Sequence, residues 1–290
     1  MPEGDTVNRT ATRLHQALAG QALTLLDLRW GQLGGRTFLP AATLSVTSRG
    51  KHLLHRLDTG WTVHTHLRME GSWRITATPE VTAAALGRND VRAVAATERW
   101  TAFGLRLGLV EAWPSREEAA RLGYLGPDLL GDDWDLNEAI NRVRSPSADD
   151  PSGTLGAALL DQRNLAGLGT FWSSEALFHH RLNPWQPPRA VEVVSLAALL
   201  TRVQGQMRIA AETGIQSATG STRPGELAAV HGRSGRPCRR CGTTLRIAQI
   251  GPELRVRWLP YCPTCQGGRA PTDDGRPIRP LGSAPRARRR

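Results

Sequence analysis

The chain has 290 residues, 40% of them hydrophobic, and carries a formal net charge of +11. That length holds two or more domains with real cores, and no apolar run is long enough to span a bilayer, which excludes a helical membrane protein. The basic balance favours a polyanionic partner, nucleic acid before a membrane surface, because no basic amphipathic anchor helix is evident. Residues 267–290 hold seven arginines against Asp273 and Asp274, and the rest of the chain is still basic without them. The N-terminus lacks the basic-then-apolar pattern of a secretory signal, so the cytoplasm is the expected compartment.

The chain begins Met1-Pro2-Glu3-Gly4-Asp5-Thr6. Removal of methionine before a small residue would leave Pro2 as the N-terminus, its nitrogen a secondary amine. A terminal amine titrates roughly near pH 8, so part of it is neutral and nucleophilic at physiological pH. Such an amine attacks an aldehyde-like carbon to give an imine, and Glu3 beside it is a carboxyl able to donate or accept a proton. The plain alternative is that Pro-Glu merely precedes a helix, with Glu in the positive first turn. Asp5 or Thr6 can cap a helix to about Gly20, with Val7, Ala11, Leu14 and Leu18 on one face.

Of the 37 basic residues, Lys51 is the single lysine. Arginine stays protonated, whereas an amine transfers protons, so a lone surviving lysine points to a chemical need. It stands in Arg49-Gly50-Lys51-His52, within a β-rich stretch over residues 44–57. Residues 61–69 alternate, with Trp61, Val63, Thr65, Leu67 and Met69 on one face and Thr62, His64, His66 and Arg68 on the other. Without a third ligand nearby, His64 and His66 read as polar strand residues rather than metal ligands. Residues 79–89 read as a loop and 91–113 as further strands, which together suggest a β-sandwich to about residue 115.

From Ser115 the pattern is helical, with helices expected over 128–143, from 155 to 160 and over 195–212. Residues 161–170, Asp-Gln-Arg-Asn-Leu-Ala-Gly-Leu-Gly-Thr, read as a helix-turn-helix joint. Backbone amides at Gly169 and Thr170 could receive a phosphate there. The polar segment 214–225 is a candidate mobile lid. Cys238-x2-Cys241 and Cys262-x2-Cys265 suit tetrahedral thiolate ligation of one structural Zn2+ on a hairpin ribbon. Arg236, Arg239, Arg240, Arg246, Arg255 and Arg257 stud that ribbon, and the Pro-, Gly- and Arg-rich residues from 267 on are expected to be disordered.

Taken together these residues resemble the formamidopyrimidine-DNA glycosylase and endonuclease VIII family. The resemblance lies in Met-Pro-Glu-Gly at 1–4, Arg-Gly-Lys-His at 49–52, His-Leu-Arg-Met-Glu-Gly at 66–71, the motif at 161–169 and the ribbon ending Cys-Pro-Thr-Cys-Gln. The start and Leu-Gly-Pro-Asp-Leu-Leu-Gly at 125–131 look most like an actinobacterial endonuclease VIII-type branch.

The resemblance implies an α+β architecture. It comprises an N-terminal catalytic β-sandwich with a helix (1–115), a helical helix-two-turn-helix domain (116–230), a C-terminal zinc ribbon (231–266) and a basic tail (267–290), with damaged DNA bound in the cleft. It further implies that Pro2 attacks C1′ of a flipped nucleotide, that Glu3 protonates the opening sugar and that Lys51 contacts phosphate and assists elimination. Arg257 would grip phosphates beside the lesion and assist the last elimination, Met69 would fill the gap left by the flipped base, and Gly169 and Thr170 would meet phosphate.

The implied protein is a monomeric bifunctional glycosylase and abasic-site lyase, bacterial and nucleoid-associated, with no diffusible cofactor. A non-catalytic damaged-DNA-binding protein that kept the fold is the competing reading. Four positions depart from the family pattern. Thr170 stands where asparagine is usual, Thr6 replaces an acidic residue, twenty residues separate the cysteine knuckles, and Pro260 falls in the last strand of the ribbon. Guanine-directed members usually carry an Arg-Arg-Phe-Gly-type segment, whereas residues 97–107 offer Phe103-Gly104 without the arginines, so oxidised pyrimidines are favoured over 8-oxoguanine.

Overall fold

The computed structural model describes residues 2–145, 153–253 and 256–278. They form two compact units, Met1–Trp134 with Ala211–Gly214, and Asp135–Ala210 with Ile215–Arg290.

The first unit is a β-sandwich with one long helix. Helix α1 spans Gly4–Leu18, and eight strands follow: β1 Leu25–Leu28, β2 Thr43–Arg49, β3 His52–Leu57, β4 Trp61–His66, β5 Ser72–Ala77, β6 Val91–Ala96, β7 Trp100–Leu105 and β8 Leu109–Pro114. They pair antiparallel in two four-stranded sheets, ordered β1-β6-β7-β5 and β2-β3-β4-β8. The apolar stripe of α1, Val7, Ala11, Leu14 and Leu18, enters one core with Leu26, Leu28, Val46, Leu53, Val63, Ala93 and Val110. Burying each such leucine contributes roughly 1.5–3 kcal/mol, which anchors α1 along its length. Glu3 takes the N-cap position, so Asp5 and Thr6 are the second and third residues of the helix.

Within residues 79–89, Ala83–Leu86 close a short helix, α2, because the Thr82 hydroxyl accepts the Ala85 N–H. Strand β4 is buried on both faces over Thr62–Thr65, so its alternation separates two covered faces rather than a wet and a dry one. A short helix, α3, covers Glu118–Leu122.

The second unit carries helices α4 (Leu136–Arg144), α5 (Leu155–Leu160), α6 (Thr170–His179) and most of α7 (Val193–Thr213), then strands β9 (Arg246–Ile250) and β10 (Arg257–Tyr261). The helix expected from residue 128 begins instead at Leu136, where the Asp135 carboxylate caps it by accepting the Glu138 N–H at 2.9 Å. Residues 129–133 form turns and a bend, because the Asp128 carboxylate serves other backbone groups.

Segment 214–225, expected as a mobile lid, is braced by its own hydroxyls. Ser217 donates to the Ser221 carbonyl at 2.7 Å and Thr219 to the Glu226 carbonyl at 2.6 Å.

Strands β9 and β10 pair antiparallel, with Pro260 opposite Ile247. A two-stranded ribbon has only edge strands, so a residue without an N–H is tolerated there. The disorder expected from Gly267 is absent as far as Ile278. Asp273 pairs with the Arg246 guanidinium and accepts from the Tyr261 hydroxyl, and the Ala270 N–H donates to that same hydroxyl at 3.0 Å. Residues 279–290, Arg255 and Met1 lie outside the described residues. Among the described residues, no helix is long and apolar enough to cross a membrane.

Candidate active site and metal centre

Helix α1 runs antiparallel along β2. Asn8 donates to Ser48 at 3.2 Å, His15 Nδ1 accepts the Val46 N–H at 3.2 Å, and the Gly20 N–H reaches the Thr43 carbonyl at 2.8 Å. The start of α1, with half-buried Pro2 and fully buried Glu3, therefore lies toward the end of β2. There the two-residue turn Gly50-Lys51 leads into β3, with Arg49 opposite His52. Gly50 has φ +57°, which glycine adopts freely at the first central position of a tight hairpin.

His52 in turn stands opposite His66, the last residue of β4. The turn after β4 closes with Gly71 N–H on the Leu67 carbonyl at 2.9 Å. A Cβ at Gly71 would lie 2.4 Å from that oxygen, so only glycine permits the turn. Met69, 67% exposed, projects from it. Pro2, Glu3, Lys51 and Met69 thus share one end of the sandwich.

Three imidazoles flank Lys51. His52 Nδ1 and His64 Nε2 share a hydrogen bond of 2.8 Å, His64 Nδ1 lies 3.1 Å from Glu111, and the Tyr124 hydroxyl stands 3.5 Å from His52 Nε2. Burial, then the neighbouring His64, His66 and Lys51, push His52 down to about 3, and burial, then Lys51, push His66 down to about 4. Burial lowers His64 as well, against Glu111. Neutral rings fix the tautomers, with His64 donating to Glu111 and accepting from His52, whose Nε2 is left to accept from Tyr124. His64 and His66 are therefore members of a protein hydrogen-bond chain and its border, in line with their reading as strand residues.

In the second unit the joint between α5 and α6 is tied by side chains. Gln162 donates to the Leu160 and Leu168 carbonyls at 3.1 and 2.9 Å and accepts the Gly167 N–H at 3.1 Å, while buried Asn164 donates to the Ala158 carbonyl at 3.0 Å. Gly169 is the N-cap of α6, and Thr170, 8% exposed, opens the helix. Glu175, on the same helix and buried, accepts the N–H groups of Ala229, Val230 and His231 at 2.8, 2.8 and 2.7 Å. None of these partnerships is visible in the local pattern of the sequence.

On the ribbon, Arg257 is exposed. Arg246 is not a free phosphate ligand, since it is 8% exposed and paired with Asp273. Arg240 stacks on the Phe178 ring at 4.2 Å and donates to the Phe178 carbonyl.

The four cysteines are unbridged, and one sulfur from each lies within 4.8 Å of the others. Thiolates about 2.3 Å from a tetrahedral zinc stand roughly 3.8 Å apart, so the cluster fits one zinc ion. Thiolates fill all four positions, which leaves none open for a reacting water and makes the centre structural.

Comparison with known proteins decides the family. The formamidopyrimidine-DNA glycosylase N-terminal domain profile matches residues 1–103 and the formamidopyrimidine-DNA glycosylase H2TH domain profile matches residues 125–222. A Streptomyces coelicolor protein, "Probable endonuclease 8 2", is 42% identical over 282 residues, covering 95% of this chain and 98% of that one. The chain belongs to the formamidopyrimidine-DNA glycosylase family.

The DNA-(apurinic or apyrimidinic site) lyase Nei2 of Mycolicibacterium smegmatis is 36% identical, over 91% of this chain and 99% of the relative. Among solved structures, the Lactococcus lactis formamidopyrimidine-DNA glycosylase bound to DNA with an abasic site has a TM-score of 0.73 at 19% identity, covering 91% and 99% of the two chains. At that identity the likeness is one of fold.

The family resemblance would set Thr170 where asparagine is usual, and a substitution tests whether this position meets phosphate. Asparagine offers two amide hydrogens to a phosphate, threonine one hydroxyl on a shorter, branched stem. A charge-assisted hydrogen bond is worth about 1.5–3 kcal/mol, or tenfold and more in affinity. Thr170→Asn is expected to tighten binding to abasic-site DNA about tenfold, with single-turnover cleavage at saturation nearly unchanged. A titration at fixed salt checks this. Equal or weaker binding would show that the loop is built around threonine.

Proposed function

We propose that this protein is a bifunctional DNA glycosylase and abasic-site lyase of base excision repair, acting in the cytoplasm at the nucleoid as a monomer. The observation that carries the reading is the antiparallel run of α1 along β2, which sends Pro2 and Glu3 to the end of the sandwich that holds Lys51. The relatives' names, endonuclease 8, abasic-site lyase and formamidopyrimidine-DNA glycosylase, support the same chemistry.

In this reading the Pro2 amine attacks C1′ of a flipped nucleotide, the glycosidic bond breaks and the base leaves. Glu3 protonates the ring oxygen as the sugar opens, which leaves an imine between Pro2 and C1′. Loss of a proton from C2′ then expels the 3′ phosphate, with Lys51 holding phosphate and assisting, and Arg257 assists the later loss of the 5′ phosphate. The family resemblance has Met69 occupy the space the base vacates, while Gly169 and Thr170 hold the backbone. The domain boundaries 1–115, 116–230, 231–266 and 267–290 belong to this proposal.

Oxidised pyrimidines are the favoured substrates. Phe103 lies in β7, 6% exposed and packed with Val91 and Val94, so it is spent on the core and offers no wedge for the opened duplex. The deciding experiment is borohydride reduction on matched duplexes carrying an abasic site, an oxidised pyrimidine or 8-oxoguanine opposite cytosine. A covalent adduct is expected, and a lysine-specific protease should still cut it after Lys51, because the imine consumes the Pro2 amine and not that of the lysine. Resistance to that cut would place the imine on Lys51, and faster excision of 8-oxoguanine would reverse the lesion preference.

A further inference from the structure

The turn that carries Lys51 is held from outside its own hairpin. Asp128, 2% exposed, accepts the Gly50 N–H at 2.6 Å with Oδ2 and the Leu130 N–H at 3.1 Å with Oδ1. Both carboxylate oxygens are thus committed to backbone donors, one of them on the residue before Lys51. The same segment grips the other flank of the turn, since Arg49 pairs with Asp133 and donates to the Gly126 carbonyl at 3.3 Å. The grip is close-packed, because a Cβ at Gly131 would lie 2.6 Å from Asp133 Oδ1 and 2.9 Å from Asp128 Cβ.

A two-residue turn joined to two paired strands is free to rock about its ends unless something takes its outward amide. A buried carboxylate that accepts that amide is a strong anchor, since a donor left facing no acceptor in the interior is costly. We propose that Asp128 is a positioning residue for Lys51, fixing the Gly50-Lys51 turn so that the ammonium meets the phosphate of the abasic site. The inference rests on the proposed role of Lys51, and it adds a residue 77 positions further along the chain.

Asp128→Asn is the sharp test, being equal in size yet offering one acceptor and one donor. One of the two backbone N–H groups then meets an amide NH2 instead of an oxygen. Lys51 is the sole lysine, so lysine-selective 13C labelling yields one side-chain ε-carbon resonance to follow. In Asp128→Asn that resonance should move or broaden, and abasic-site cleavage at saturating DNA should slow about ten- to a hundredfold, the cost of a small misplacement near the chemistry. DNA affinity should change far less.

Gly131→Ala, which pushes Asp128 from behind, should displace the same resonance and serves if the first variant fails to fold. An unmoved Lys51 resonance in a folded variant, whatever its rate, overturns the proposal. Lys51→Ala separates the two ideas. If it cleaves abasic sites normally, the catalytic role of the lysine fails, while a moved resonance in Asp128→Asn would still establish the mechanical link.

Discussion

A Pro2→Leu variant is expected to lose abasic-site cleavage and borohydride trapping by about a thousandfold or more, the scale seen when a covalent nucleophile is removed. The bulk of leucine stops methionine removal, so the nitrogen of residue 2 stays in a peptide bond and carries no nucleophilic lone pair. The only terminal amine is then that of Met1, one Cα step or about 3.8 Å away, and a displacement of that size defeats a near-attack geometry. Folding should survive, because Pro2 is half-buried and precedes α1, whose hold on the core comes from Val7, Ala11, Leu14 and Leu18.

Glu3→Gln supplies the contrast. Glu3 is fully buried at the N-cap of α1, and glutamine keeps its shape while removing the titrating proton. Excision of a damaged base should fall by roughly a hundredfold or more, the weight of a positioned general acid, whereas a ready-made abasic site has no glycosidic bond to break and should suffer less. Mass spectrometry of the variants together with gel assays on both substrates reads this out. Full trapping by Pro2→Leu with methionine retained would remove Pro2 from the mechanism.

The parts of this molecule legible in its sequence are those whose cause is local. The stripe of α1 follows from spacing within one helix, the cysteine pairs announce their geometry at x2 spacing, and the lone lysine is visible by counting. What escaped reading are choices of distant partner. Asp128 sits before a helical pattern, and its nearest role by spacing is to begin that helix. In the fold its carboxylate goes instead to Gly50, 78 positions away, and Asp135 does the capping. Glu175 has the look of an ordinary helix residue, yet it holds three amides of residues 229–231.

The same holds for Asp273, which resembles a stray acid in an arginine-rich tail but neutralises Arg246 within the ribbon. That guanidinium keeps the Asp273 carboxyl down at about 2. Periodicity reports which face a side chain occupies and is blind to which buried donor on another element needs an acceptor. The residues gathered at one end of the sandwich, Pro2, Glu3 and Lys51, are therefore visible in the sequence as candidates, while the contacts that hold that end in register are not.

Removing metal from the ribbon is expected to abolish tight DNA binding while the sandwich stays folded. The apolar cluster around the cysteines is small, consisting of Phe178, Val230, Leu245 and the buried Cys238 and Cys262. At roughly 1.5–3 kcal/mol for each large apolar side chain, that cluster does not offset an ordering cost of about 1–2 kcal/mol per residue over the whole ribbon. Binding of zinc to four thiolates contributes about 10–16 kcal/mol in comparable small sites, a contribution of the same order as that packing.

Two contacts extend the consequence into the helical part of the same unit. Arg240, between the first two cysteines, stacks on Phe178 and donates to its carbonyl near the end of α6, and Gln266, next to Cys265, donates to the Leu182 carbonyl at 3.0 Å. A chelator, or Cys238→Ser, should therefore disorder residues 236–266 and loosen the end of α6, with Arg257 lost as a placed cation. Affinity for abasic-site DNA should fall by roughly a hundredfold, the worth of several lost phosphate contacts, and hydrogen exchange should rise across β9 and β10 while β2, β3 and β4 stay protected. Elemental analysis should find one zinc per chain in the untreated protein. No bound zinc together with four freely reactive thiols would refute the metal centre, and an unchanged affinity after complete chelation would show that the ribbon orders on its own packing.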